Sequence, residues 1–480
     1  MRSTTVRLFL ALPIALVAVS TAGTQQPEPR PNILFAIADD WGFPHAGAYG
    51  DKTVSTPTFD RVAREGALFM HAYTAAPSCT PSRAALLTGQ AVHRLAEGGN
   101  LWSFLPERFA VYPDLLERAG YHVGFMGKGW GPGQFEPGGR SRNPAGPVFK
   151  QFEDFLAKRR DGQPFAFWLG STDPHRPYEL GSGAKAGLRA DTVAVPSFFP
   201  DTAEVRSDIL DYYFEVQRFD SQVARALEAL EARGELDNTI VVITSDNGMP
   251  FPRAKANLYD AGTHMPLAIR WPRRIKAGTM VRAFVSHADL APTFLDAAGQ
   301  PIPADMTGLS LLPLFGDAAA KQVAARDRVF IERERHANVR RGDLGYPARA
   351  IRTAEYLYIR NYRPDRWPAG DPEVYVSVGP FGDIDDGPTK QLLLNKRDDP
   401  AIKRYFDLAT AKRPAEELFD LTKDPSQLTN VAGDSAYAQT RDRLKNALAA
   451  WQQRTGDPRA TTDDDRWDKY PYYGAPAKSK

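Results

Sequence analysis

The chain has 480 residues, 42% of them hydrophobic and 25% charged, which is ordinary soluble globular composition with ample length for a large core. Its 60 basic and 58 acidic residues give a net charge of +2, so no global field draws it toward nucleic acid or membrane, and any anion selectivity has to be local. The single cysteine, Cys79, excludes an intrachain disulfide and leaves that thiol either for chemistry or for a bland place in the core.

Residues 1–22 carry Arg2 and Arg7, an apolar run over 8–19, and Ser20-Thr21-Ala22, which reads as an export signal cleaved after Ala22. The run is too short to span a bilayer and no cysteine lies near the cleavage site, so the expectation is an exported protein, periplasmic or secreted, with no membrane anchor. Residues 23–31 are a polar, proline-spaced linker. From Asn32 to Ala38 the apolar run is unbroken, as in a strand buried on both faces of a parallel sheet, and it ends at Asp39-Asp40. Open α/β sheets bind ligands at that end of a strand, and hard divalent cations want clustered carboxylates; a solvated turn before Trp41-Gly42 is the bland alternative.

A helix is expected over 56–66. Ser78-Cys79-Thr80-Pro81-Ser82-Arg83 reads as another helix start, with Thr80 as cap and Pro81 in the first helical position. Cys79 then stands at an end that attracts anions, with Arg83 one turn further in on its face. A helix over 112–119 precedes a strand over 122–127 that delivers Lys128, and a strand over 165–170 runs into Asp173-Pro174-His175. Residues 205–233 form a long amphipathic, core-facing helix. The strand over 239–244 ends in Ser245-Asp246-Asn247-Gly248, which adds a carboxylate and an amide oxygen, and Lys255 follows in a proline-bounded loop. A strand over 267–270 and a helix over 290–298 complete an alternation that predicts a mostly parallel sheet with helices on both faces. After residue 347 the texture changes. Short strands at 356–360 and 417–421, a proline- and glycine-rich loop over 364–388 expected to cover the pocket mouth, and a helix over 436–454 predict a smaller α+β domain with an antiparallel sheet. The expected division is therefore 32–346 and 347–480.

Cys79-Thr80-Pro81-Ser82-Arg83 with Leu87-Thr88-Gly89 resembles the signature of the sulfatase family. Asp39-Asp40, Lys128 after a glycine, Asp173-Pro174-His175 and Asp246-Asn247-Gly248 match its remaining clusters in order, and residues 246–252, Asn257-Leu258-Tyr259 and Tyr346-Pro347 with Arg349 look like its sulfamidase (N-sulfoglucosamine sulfohydrolase) branch. The resemblance implies an alkaline phosphatase-like fold and hydrolysis of a sulfate ester or sulfamate on a sulfated carbohydrate of glycosaminoglycan type. It implies that a maturation enzyme converts Cys79 to formylglycine, whose hydrated aldehyde supplies the nucleophilic hydroxyl. It also implies one calcium ion held by Asp39, Asp40, Asp246, Asn247 and residue 79. Arg83 and Lys128 would hold the hydrate and sulfate oxygens, and His175 with Lys255 would contact the sulfate and protonate the leaving atom.

One position departs from the pattern. Many sulfatases carry a histidine two residues after the lysine as the last base, and Trp130 stands there. A substitute such as His93 or His71 is expected, or a tryptophan that stacks on a sugar. Two rivals follow: a phosphoester hydrolase of the same superfamily, opposed by the proline and arginine after Cys79, and a catalytically silent glycan-binding protein, which Trp130 keeps open.

Overall fold

The computed structural model describes residues 1, 4–5, 30–316, 319–375 and 379–474; the expected export signal lies almost wholly outside them. The apolar run Asn32–Ala38 is the central strand, buried along its whole length. It pairs in parallel with Phe165–Gly170 on one side and Thr239–Ser245 on the other, and His122–Gly127 extends the sheet in parallel beyond Phe165–Gly170. Past Thr239–Ser245 come Ala268–Arg270, Ala67–Phe69 and Thr279–Val281, making seven strands. Ala268–Arg270 runs antiparallel to both neighbours. A three-residue strand carries too little pattern to announce its direction.

Alternation along the central strand explains the two layers. Ile33, Phe35 and Ile37 enter one core with Ala84 to Leu87, Leu290 and Phe294, while Leu34, Ala36 and Ala38 enter another. The second is roofed by the 30-residue helix Ala203–Ala232, whose Thr202 side chain caps it by accepting from the Val205 amide and whose Val205, Ile209, Val216, Phe219 and Val223 face inward.

A separate antiparallel sheet follows in the order Arg328–Arg333, Ala348–Thr353, Tyr356–Asn361 and Glu416–Asp420, with the helix Ala438–Thr455 packed on it through Leu444 and Leu448. Its first strand lies upstream of residue 347, where the sequence changes texture. That strand ends in Glu332 and Arg333, buried charges that hide its apolar pattern. Glu332 belongs to a buried ion network: Arg349, fully buried, lies 3.2 Å from Glu332 and 2.8 Å from both Glu334 and Asp457, Arg459 pairs with Glu334 at 2.8 Å, and His93 Nδ1 lies 2.8 Å from Glu332. The network ties the second sheet and the chain near Asp457 to the main body.

Removing one member of such a network strands the others as unpaired buried charges. Arg349→Met is expected to lower unfolding stability by about 3–5 kcal/mol, read as the midpoint shift in denaturant; an unchanged midpoint would show that the network contributes nothing.

Candidate active site

The C-terminal ends of the four adjacent parallel strands supply the chemistry-bearing residues. Asp39 and Asp40 leave the central strand, Lys128 leaves His122–Gly127, Asp173 and His175 follow Phe165–Gly170, and Asp246 and Asn247 follow Thr239–Ser245. The helix Cys79–Thr88 packs against this edge with Cys79 as its first residue. Ser78, not Thr80, is the capping residue, and its hydroxyl makes no cap bond. Thr80 is already inside the first turn, where its hydroxyl donates to the Pro132 carbonyl at 2.5 Å. The helix is fastened to the strand end by Ser82, whose hydroxyl donates to the Asp246 carbonyl at 2.5 Å.

Asp39, Asp40, Cys79 and Asp246, all buried, each bring one ligand atom within 4.8 Å of the others. Asp40 takes a left-handed φ of 78°, a strained conformation for a non-glycine residue that aims its amide at Asp246 Oδ1, 3.1 Å away. Each carboxylate has a cation. Arg83 Nε donates to Asp246 Oδ2 at 2.7 Å, Lys128 Nζ to Asp39 Oδ2 at 2.6 Å, and Lys255 Nζ to Asp40 Oδ2 at 2.7 Å. Arg83 Nη1 donates to the carbonyls of Lys128 and Gly129 at 2.8 and 2.9 Å, and Nη2 donates to the Ala38 carbonyl at 3.5 Å and lies 3.8 Å from Asp39, so the guanidinium braces the loops and the strand end.

The two neighbouring aspartates differ in acidity. Burial pushes Asp39 up, yet the charges of Lys128, His175 and Arg83 outweigh it and hold the carboxyl far below the usual range. At Asp40 burial wins, aided by the charges of Asp39 and Asp246, and the carboxyl is raised to about 6 against Lys255 and His175. Burial likewise raises the Cys79 thiol well above its ordinary value, so the residue as encoded is a poor nucleophile.

A hard divalent cation fits this set. The donors around Asp39, Asp40 and Asp246 are oxygens, and Asn247 Oδ1 is buried with no hydrogen-bond partner among the described residues, while its Nδ2 donates to Asp40 Oδ1 at 2.6 Å. An orphaned amide oxygen beside three carboxylates is what such an ion would use.

A cavity of about 540 Å³ opens over the cluster, with Asp39, Lys128 and His175 in its wall. Trp102, from the loop after Asn100, and Phe214 line it too, and neither was singled out by spacing or motif. Glu215 and Arg218 stand at its side, 2.7 Å apart. Burial and a hydrogen bond with Asp173 raise Glu215 to about 7.

Trp130 does not line this cavity. It is 4% exposed, packed in the core with Phe125, and its backbone N–H and carbonyl are clamped by Asn143 at 3.0 and 2.9 Å, which is no platform for a sugar over Cys79. The two expected substitutes for a histidine at that position are elsewhere: His93 is held by Glu332, and His71 stacks on Phe284. His336 is the histidine that touches the residue before Cys79. Its Nδ1 lies 2.8 Å from the Ser78 hydroxyl, 258 residues away in sequence, and burial pushes it down to about 4, which keeps it neutral. The loop over 364–388 does reach the site, through Asp385, 3.0 Å from Lys255.

Comparison with known proteins agrees with this arrangement. The sulfatase family model matches residues 31–134 and 143–300, and the model for the C-terminal region of N-sulphoglucosamine sulphohydrolase matches 253–373. The chain is 31% identical to human N-sulphoglucosamine sulphohydrolase, covering 93% of this chain and 94% of that protein. Among solved structures it resembles BT4656 in complex with its substrate D-glucosamine-2-N,6-O-disulfate, with a TM-score of 0.64 at 22% identity over 91% of this chain and 99% of that one. It also resembles the phosphonate monoester hydrolase of Agrobacterium radiobacter, with a TM-score of 0.65 at 18% identity over 89% and 96%. At these identities the structures establish the alkaline phosphatase-like fold alone.

A bound ion adds folding stability by mass action, about 2.7 kcal/mol at a hundredfold excess over its Kd. A chelator is therefore expected to lower the melting temperature, a divalent cation to restore it, and Asn247→Ala to blunt the response; a melting curve indifferent to both reagents would argue against a metal at this site.

Proposed function

The chain belongs to the sulfatase family of sulfuric ester hydrolases, and from that premise we propose that it is a formylglycine-dependent enzyme that releases sulfate from an ester or sulfamate of a sulfated carbohydrate. The observation that carries this reading is the meeting of Cys79, three buried carboxylates and the orphaned Asn247 oxygen under one cavity. Asp39, Asp40, Asp246 and Asn247 would hold one calcium ion, which would supply positive charge to the sulfuryl oxygens and to a hydroxyl at position 79. Conversion of Cys79 to formylglycine by a maturation enzyme would supply that hydroxyl as the nucleophile, which the buried thiol does not.

The other roles fall to residues of the chain. Lys128, kept protonated against burial by Asp39, faces the cavity and binds a sulfate oxygen. His175 donates its Nδ1 proton to the Arg176 carbonyl at 2.5 Å, which leaves Nε2, 3.8 Å from Asp40 Oδ2, to hand a proton to the departing oxygen or nitrogen. Lys255 neutralises Asp40 at the edge of the same cluster, and Arg83 holds Asp246 in place without touching substrate. Where Trp130 offers no base, His336 Nδ1 holds the Ser78 hydroxyl at 2.8 Å, directly before position 79, so His336 acts as a positioning residue for that turn. Trp102 and Phe214 give the cavity aromatic faces suited to a sugar ring, in keeping with the carbohydrate named for the human relative. Export would place the activity outside the cytoplasm, where sulfated polysaccharides are met.

Three measurements test the proposal. In protein from its native host, the tryptic peptide carrying Cys79 is expected to show the mass loss of a thiol replaced by an aldehyde, and a fully unmodified thiol there sinks the formylglycine assignment. Cys79→Ala should lower kcat on an N-sulfated or O-sulfated amino sugar by about a thousandfold or more. His336→Gln is expected to reduce kcat by about 10²-fold and to change the pH profile of kcat with the melting temperature retained; an unaltered profile assigns the histidine to packing alone.

A further inference from the structure

None of the motifs contains Asp385, yet it completes the charge arrangement of the site. One ligand atom each from Asp40, His175 and Asp385 lies within 4.8 Å of the other two. Asp385 Oδ2 is buried 3.0 Å from Lys255 Nζ, a charge contact without hydrogen-bond geometry. Its segment is clamped on both flanks. Asp383 pairs with Arg333 and Arg340 at 2.8 and 2.5 Å, and Lys390 Nζ donates to the Ile384 carbonyl at 2.7 Å. Beyond Asp385, Thr389 donates its amide and hydroxyl to Asp208 Oδ2 at 3.1 and 2.6 Å, and the same oxygen accepts from Arg176 at 2.8 Å. The carboxylate is thus a built part of the site. Burial pushes it up, but Lys255, His175 and His336 prevail and lower it to about 2, so it is ionised at neutral pH.

Lys255 is consequently shared between two carboxylates, Asp40 at 2.7 Å and Asp385 at 3.0 Å, and has no charge to spare. Asp39, Asp40, Asp246 and Asp385 face Arg83, Lys128 and Lys255, with His175 3.8 Å from Asp40, so four carboxylates meet three permanent cations and one imidazole. A divalent cation would make the net charge of the site positive, by one with His175 neutral and by two with it protonated. Hydrolysis changes the charge on the group it must hold. A sulfate ester or sulfamate is singly negative; in the net reaction an oxygen from water replaces the leaving oxygen or nitrogen on sulfur, the leaving atom takes one proton, and the hydrogen sulfate formed releases its remaining proton to become doubly negative sulfate. A fixed carboxylate repels a ligand in proportion to the ligand's charge, so it penalises the product twice as strongly as the substrate.

We propose that Asp385 is a specificity residue that matches the site to a singly charged sulfuryl group and repels doubly charged oxyanions, inorganic sulfate first among them. The inference rests on the sulfatase reading for the identity of the product, and its test does not need turnover. Inorganic sulfate and 4-nitrophenyl sulfate are titrated calorimetrically into calcium-loaded Cys79→Ala protein, with and without Asp385→Asn. Asp385→Asn is expected to tighten inorganic sulfate by about tenfold or more and the singly charged ester by only about the square root of that factor; Asp385→Glu, which keeps the charge, should retain the parent ratio. In the matured enzyme the same change should lower the inhibition constant of sulfate by a similar factor. Equal gains for both ligands, no gain, or loss of sulfate binding in a folded Asp385→Asn protein would overturn the proposal. If the matured enzyme hydrolyses no sulfate ester while the binding ratios shift as stated, the sulfatase reading fails and the charge-matching role of Asp385 stands.

Discussion

Three buried carboxylates at neighbouring strand ends are the constraint on which the rest of the structure depends. Asp39, Asp40 and Asp246 stand at the C-terminal edge of buried strands, where an unpaired charge is costly. Each draws in a cation from a different element: Arg83 from a helix, Lys128 from the end of the next strand but one, Lys255 from the loop after Asn247. The Arg83 and Ser82 contacts to Asp246 set where the helix Cys79–Thr88 sits, and so where Cys79 sits. The position of Cys79 is a consequence of charge pairing one turn further along its helix. The pairing is uneven. Asp39 has Lys128 close by and Arg83 at 3.8 Å, whereas Asp40 also faces both other carboxylates, which is why one is held strongly acidic and the other is raised. The excess negative potential gathers at Asp40, beside the Asn247 oxygen that has no donor.

The sequence showed much of this, and for a definite reason. A strand buried on both faces has to be an unbroken apolar run, so 32–38, 165–170 and 239–245 stand out, and polar residues that follow such a run mark the sheet edge where ligands bind. Asp39, Lys128, His175 and Asp246 were legible because each is tethered within a few residues of a strand end. The helix start was misread by two residues because threonine and serine are equally good caps by type, and only the packed structure shows Thr80 turned to the Pro132 carbonyl. His336, Asp385 and Trp102 carried no signal. His336 stands in the charged run Arg333 to His336, which reads as a solvated face, and Asp385 lies among prolines, glycines and other aspartates. Their partners, Ser78 and Lys255, are more than a hundred residues away, and no local pattern encodes a contact of that span.

Those distant partners bear on how the two parts of the chain divide the work. The loop that carries Lys255 continues into Leu258 and Tyr259, which are buried in the core beneath the antiparallel sheet with Ile331, Ala350 and Phe419. The Tyr259 hydroxyl donates to Glu417 at 2.7 Å, and Asp260 pairs with Arg352 at 2.8 Å. The ammonium that neutralises Asp40 is therefore positioned by the smaller region, which also supplies His336 beside Ser78 and Asp385 beside Lys255. Were that region an appended binding module, the buried charges of the parallel sheet would balance without it. They do not: the loop that brings Lys255 to Asp40 rests on the second sheet through Leu258, Tyr259 and Asp260, and Asp385 shares its ammonium. The match to the C-terminal region of N-sulphoglucosamine sulphohydrolase likewise begins at residue 253, in the loop that carries Lys255 and well before the sheet. The smaller region supplies His336 and Asp385 to the candidate site, and the boundary between the two parts runs through it.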